Sequence, residues 1–264
     1  MMHRLGKVPA AWEQPPAPKF AQPLLLLPEL FTTSSHLSLL TGYLASIGWE
    51  VFALDLYSAV ERGREHFADL LTLATEAVVA LGRKVVVLGH GLGGLLALAM
   101  SGQPAVAACV AVAPAIPGFR SPIIGGLRNR VVAMAAGGPL RPPSGRTLFE
   151  LVADAAPFQR EALIKGLTDA SATALREVAR GSIELTRNAA SPRLIIVGDS
   201  DIFAPHDRAV QFAETIGAQL ATLPGRGHWL IGGRALERVV GEVQRFLVKA
   251  LGRELLLLYP EDPA

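Results

Sequence analysis

Hydrophobic and polar positions alternate along this chain in two rhythms, one of short continuous apolar runs and one of helical stripes. Four consecutive leucines at 24–27 form the first run, the pattern of a strand covered on both faces. Residues 35–47 then place Leu37, Leu39, Leu40, Tyr43, Leu44 and Ile47 on one side of a helix that Gly48 stops. A second strand ends near Asp55, and a helix follows over about 65–81, with Gly82 as its stop. The run at 84–88 predicts a third strand leading straight into Gly89-His90-Gly91-Leu92-Gly93. A helix at 92–100 and a strand at 105–113 come next. This alternation predicts an α/β fold with right-handed crossovers and a mostly parallel central sheet with helices on both faces.

After Pro114 the rhythm breaks. Helical segments near 148–155, 160–168 and 173–185 are joined by Gly- and Pro-rich links such as 137–145, which predicts a helical lid insertion over 114–188. Alternation resumes with a strand from 193, a helix at 207–216, a strand at 219–223 and a last helix at 234–250. The core is thus expected over 22–113 and 189–264. Residues 1–21, rich in Pro and Ala, read as an irregular N-terminal arm.

Composition narrows the partners. Half of the 264 residues are apolar and the formal net charge is +2, with no basic stripe interleaved with aromatics, so nucleic acid is not an expected partner. Residues 85–119 carry no Asp, Glu, Lys or Arg, but turn-forming glycines and Ser101-Gly102-Gln103-Pro104 cut them into pieces of about ten residues, too short to span a bilayer as helices. The N-terminal residues lack the apolar stretch of a signal peptide, and the expectation is a cytoplasmic protein without a membrane partner. The single cysteine, Cys109, lies in an apolar run and reads as a buried small hydrophobe. Six histidines show no ligand spacing, so neither a metal nor another cofactor is expected.

Candidate chemistry gathers at three strand carboxyl ends, where open α/β sheets place their ligands. The first is the Gly89–Gly93 turn, the strand-to-helix elbow G-x-S-x-G with Gly91 in its centre. The second is Asp201, a few residues past the strand at 193. The third is His228, on a loop after the short strand at 219–223. Elbow, acid and histidine in that order resemble the α/β-hydrolase superfamily over about residues 22–252. The resemblance implies that Asp201 and His228 match the acid and base, and that Gly91 matches the nucleophile. It also implies an oxyanion hole from the backbone N–H of Leu92 and that of Leu30 or Phe31. Where the family commonly has His-Gly, this chain has Pro28-Glu29.

Gly91 has no atom that attacks a carbonyl, and deleting the nucleophile of a serine protease costs about a million-fold in turnover, roughly 8 kcal/mol. Ser34, Ser35, Ser58, Ser200 and Cys109 lie nearby in sequence, but none is at the elbow. His90 is expected to point down into the fold. Glu29 is either a second titratable group in the pocket or, as the plainer reading, an exposed loop residue. Phe203 and Trp229 fit a pocket wall and a core equally well. Asp199 and Asp55 read as turn formers, and the scattered Arg120, Arg128, Arg130, Arg141 and Arg146 as a solvated surface. The leading expectation is non-hydrolytic acid–base chemistry of isomerase, lyase or cyclase type on a small apolar or acyl-like molecule. In it His228 is the base, Asp201 orients it, and the Leu92 and Leu30 N–H groups hold an enolate. Two alternatives stand beside it: a non-catalytic ligand-binding pseudo-hydrolase, and a serine hydrolase inactivated by a change at position 91.

Overall fold

The computed structural model of the chain describes residues 2–60, 65–124, 126, 129, 131–132 and 138–257. Ten strands are defined among them: β1 (Met2–Leu5), β2 (Val8–Glu13), β3 (Leu24–Leu27), β4 (Val51–Leu54), β5 (Val85–His90), β6 (Val106–Val112), β7 (Pro139–Leu140), β8 (Ala170–Ser171), β9 (Arg193–Gly198) and β10 (Gln219–Leu223). Eight of them build one sheet in the order β1-β2-β4-β3-β5-β6-β9-β10. From β4 to β10 every pairing is parallel. All residues of β3, β4, β5 and β9 are buried, which is why these strands read as unbroken apolar runs. Each leucine of β3 is fully buried and contributes about 1.5–3 kcal/mol relative to exposure.

The helices around the sheet are α1 (Ser38–Ser46), α2 (Phe67–Ala80), α3 (Leu92–Ala99), α4 (Gly145–Leu151), α5 (Pro157–Gly166), α6 (Ala172–Arg180), α7 (His206–Ile216) and α8 (Leu236–Leu251). α3 is buried on nearly every side because its Gly93 and Gly94 let the sheet close on it; a Cβ at Gly93 would run into the backbone carbonyls of Leu27 and Pro28. α8 instead buries one stripe, Leu236, Val239, Val240, Val243, Phe246 and Leu247, at helical spacing.

The first residues depart from expectation. Met2–Leu5 and Val8–Glu13 are not an irregular arm but an antiparallel hairpin, and β2 pairs antiparallel with β4 at the sheet edge. Gly6, at φ +60, turns the chain, while Leu5, Val8 and Ala10 face the core. Pro and Ala are poor strand formers, so tertiary pairing rather than local propensity makes this hairpin. In 114–188 the three expected helices appear as α4, α5 and α6, each starting one to three residues earlier than the apolar pattern suggested. Arg120, Arg141 and Arg146 are exposed there, whereas Arg128 and Arg130 lie outside the described residues. Cys109 is fully buried, and burial pushes its thiol up to about 12.

Candidate functional site

Four strand ends converge. Glu29 follows β3, Gly91 follows β5, Asp201 follows β9 and His228 follows β10. Gly91 adopts φ +54 and ψ −116 between β5 and α3, a conformation costly for a residue with a side chain. Its N–H donates to Val112 O (3.0 Å), and its carbonyl accepts from Ala115 and Leu95.

Glu29 is the residue that sequence reasoning placed less well. It is buried, 3% exposed, and its carboxylate projects into the space above Gly91. A Cβ built on Gly91 would fall on Glu29 Oε2. Oε1 accepts from the backbone N–H of Leu30 (2.5 Å) and of Leu92 (3.1 Å). Those are the two donors expected to hold a substrate oxyanion, and here a side chain of the chain itself takes them. Phe31, the other candidate donor, sits at φ +68 with its carbonyl accepting from Thr168 N–H (2.8 Å).

Oε2 of Glu29 accepts from His228 Nε2 (3.0 Å), while Asp201 Oδ2 accepts from His228 Nδ1 (2.8 Å). Both ring nitrogens therefore face carboxylates. Burial alone would lower the His228 pKa, but the Asp201 charge and hydrogen bond, with Glu29 adding to them, raise it to about 10. The raised value favours the cationic ring at neutral pH, with both ring N–H groups directed at carboxylates. Asp201 Oδ1 accepts from Phe203 N (2.7 Å) and Ala204 N (3.1 Å). Against the opposing effect of burial, His228 and these two N–H groups hold its carboxyl below the usual range.

His90 is fully buried, and its Nε2 donates to the His228 carbonyl (2.9 Å). Its Nδ1 has no hydrogen-bond partner and lies 4.0 Å from Glu29 Oε2. Burial first, and the His228 charge second, lower its pKa to about 4, so the ring is neutral.

A cavity of about 20 Å³ sits against Glu29, Gly91 and His228, walled by Ala113, Ile116, Phe119, Ile123, Leu175, Val178 and Phe203. That is room for about one water. Phe203 packs on the His228 ring with centroids 5.0 Å apart. Trp229 is buried next to the His90 ring (5.3 Å) and lines a separate cavity with His36 and Leu163. Three of the alternative nucleophiles are engaged elsewhere: Ser35 bonds Thr33, Ser58 bonds the Asp55 carbonyl, and Ser200 bonds Asp199. Asp199 also accepts from Gly225 N, a turn contact as expected.

Sequence reasoning missed Asp154, between α4 and α5. Its Oδ2 accepts from Gly227 N (2.5 Å), directly before His228. No local pattern marks it, because the contact spans 73 residues.

An eight-stranded, mostly parallel sheet with helices around it and these residues at its carboxyl edge defines an α/β-hydrolase fold. The alpha/beta hydrolase family model matches residues 8–242, and the chain belongs to that family. Among solved structures it is similar to the monoacylglycerol lipase of Paleococcus ferrophilus, with a TM-score of 0.75 and 18% identity over 92% of this chain and 99% of that one. A thermophilic esterase from Thermogutta terrifontis, solved with malate bound, gives 0.67 and 19% over 95% and 99%. Est1E from Butyrivibrio proteoclasticus, solved with ferulic acid bound, gives 0.63 and 18% over 96% and 100%. At these identities the likeness establishes the fold. No curated protein matches the chain. Among the described residues no helix is long and apolar enough to cross a membrane.

Proposed function

We propose that this member of the α/β-hydrolase family carries out non-hydrolytic proton-transfer chemistry on a small apolar or acyl-like molecule, with Glu29 as proton acceptor and His228 as proton donor. Gly91 stands, in this reading, where a serine hydrolase carries its nucleophile. The observation that carries the proposal is the Glu29 carboxylate, which fills the nucleophile's seat with one oxygen and the expected oxyanion donors with the other. A serine route is closed twice over, since no hydroxyl is in place and a substrate carbonyl would have to displace Oε1.

The two changes fit each other. Retirement of a hydrolase needs only the loss of one hydroxyl. Here a buried carboxylate has been added as well, in a space that only glycine leaves open. Burying a charge costs several kcal/mol unless it is well paired, which favours a site kept for a task. Carboxylate and imidazolium then divide the roles. Glu29 Oε2 takes a proton from the carbon next to a substrate carbonyl, the C–H electron pair moves into the enolate, and His228 Nε2–H protonates the enolate oxygen. Glu29 then delivers its proton to another carbon of the conjugated enol while the enol O–H gives its proton back to His228 Nε2, which re-forms the carbonyl, restores both residues and completes an isomerisation. Residues 114–188 serve as the lid in this reading, since Ile116, Phe119, Leu175 and Val178 wall the cavity.

The test is deuterium incorporation from D₂O into a panel of small ketones and thioesters, followed by NMR. Exchange should fall about 10²–10⁴-fold in Glu29→Gln. Equal exchange in parent and variant, or p-nitrophenyl ester hydrolysis by the parent at ordinary enzyme rates, overturns the reading. One observation favours the ligand-binding alternative: both Glu29 oxygens are partnered and the cavity holds about one water. If no panel member exchanges while apolar compounds raise the unfolding temperature, that alternative replaces ours.

A further inference from the structure

We infer that Glu29, His90 and His228 form a binding site for one divalent transition-metal cation of zinc type. One ligand atom from each of the three lies within 4.8 Å of the others, and all three residues are buried. Glu29 Oε2 is 3.0 Å from His228 Nε2 and 4.0 Å from His90 Nδ1. A tetrahedral zinc ion with bonds near 2.0–2.1 Å needs its donors about 3.4 Å apart. These two separations bracket that value, and the third, between the two histidines, is within 4.8 Å, so the set closes on a cation by side-chain shifts of about an ångström or somewhat more.

The surroundings prepare each donor for a cation. A metal-binding histidine normally donates its other ring N–H to a carboxylate or carbonyl, which fixes the tautomer. Both histidines do so here, His228 Nδ1 to Asp201 and His90 Nε2 to the His228 carbonyl. His90 is thereby left with a bare Nδ1 lone pair in a fully buried ring, without a hydrogen-bond partner. Glu29 is prepared likewise: Leu30 and Leu92 hold Oε1, and Oε2, whose partner is His228 Nε2, would ligate through one oxygen once a cation takes the place of the shared proton. Two carboxylates and two neutral imidazoles balance the charge of a divalent ion. The adjoining 20 Å³ cavity has room for a water as fourth ligand. A second cavity, about 220 Å³, also has His228 in its wall, with Glu150 and Asp154, each paired to an arginine, on its lining. Spacing along the sequence hides the set, because its members come from three different strand ends.

This inference is independent of the proton-transfer reading. In a metal-bound site the cation would replace the proton between His228 and Glu29, so proton transfer is assayed in chelator and metal binding apart from it. The experiment is titration of the chelator-stripped full chain with Co²⁺, read by visible absorption, with Zn²⁺ as competitor. A His66→Ala background removes the exposed His66–Glu177 pair as a rival site. The expected result is one equivalent bound with the intense absorption of four- or five-coordinate cobalt, displaced by Zn²⁺. Affinity should drop more than the roughly 10–100-fold of an outer-shell loss in both His90→Gln and Glu29→Gln. His228→Ala should abolish binding, and if that variant does not fold, the other two suffice. Only weak six-coordinate absorption, or undiminished binding in His90→Gln and Glu29→Gln, overturns the inference.

Discussion

The loop after β3 and the turn after β5 are mirror cases. At the turn Gly91 offers only backbone, in a conformation that strains other residues. At the loop Glu29 carries a buried carboxylate that reaches across to cover Gly91. In the proposed reading either feature alone would disable a hydrolase site, the first by lacking the reactive atom and the second by filling the oxyanion donors. Together they leave both carboxylate oxygens of Glu29 partnered. The space above one strand end is therefore filled from the loop that follows another.

The strongest way to break that pairing is Gly91→Ser. A serine there must expel the Glu29 carboxylate and leave His228 without one of its partners. Removing one member of a buried ion pair costs about 3–5 kcal/mol, so the midpoint of urea unfolding should fall sharply. In the double variant Gly91→Ser, Glu29→Gly the seat is free again and the serine hydroxyl can accept from His228 Nε2, so part of that stability should return. Hydrolysis of p-nitrophenyl esters should appear in the double variant alone. If Gly91→Ser by itself is as stable as the parent, the two positions do not compete for one space.

How the pairing was reached explains what the sequence could tell. The parallel strands were legible because β3, β5 and β9 are covered on both faces, and a run such as Leu24–Leu27 has no other reading. Asp201 and His228 were legible because chain order and strand ends locate them, and they do meet at 2.8 Å. Glu29 was not, since nothing local distinguishes a loop carboxylate facing water from one turned inward. Only the absence of a Cβ at position 91 makes room for it. The β1–β2 hairpin was missed for a related reason, since its pairing with β4 lies in tertiary contacts that Pro9 and Ala10 do not advertise.

A milder perturbation is pH, applied to the chelator-treated protein. The groups facing His228 are Asp201, Glu29 and the neutral His90. Because the folded His228 value, about 10, lies above the ordinary 6.5, its contribution to stability is complete below pH 6.5 and is lost as pH rises through 10. His90 acts in the other direction: lowered to about 4, its contribution is complete above 6.5 and is lost as pH falls toward 4. Stability should therefore peak near pH 6.5 and decline on the alkaline side by up to about 1.4 kcal/mol per pH unit from His228. Thermal unfolding from pH 6 to 10 measures this. Glu29→Gln should make the alkaline slope shallower, since Asp201 alone then holds the proton. An unchanged slope would mean that Glu29 does not share the His228 charge in solution.

The smallest expected effect asks whether the loops of the sheet suffice to build the site. Asp154 lies outside the core strands, yet its carboxylate takes the Gly227 N–H that fixes the backbone before His228, with Arg226 alongside at 3.5 Å. A charged acceptor on a backbone donor contributes about 1–2 kcal/mol when partly buried. Asp154→Ala should cost about that much in urea unfolding and leave the sheet intact. Its more specific signature is local. The Gly227 amide should exchange with solvent about ten-fold faster or more, as 1.4 kcal/mol of lost protection implies, while amides of β5 and β9 keep their rates. Unchanged exchange at Gly227 would show that the His228 loop holds its own shape and that the segment between α4 and α5 only rests against it. Faster exchange would make the His228–Glu29 contact depend on a residue beyond the two complementary loops.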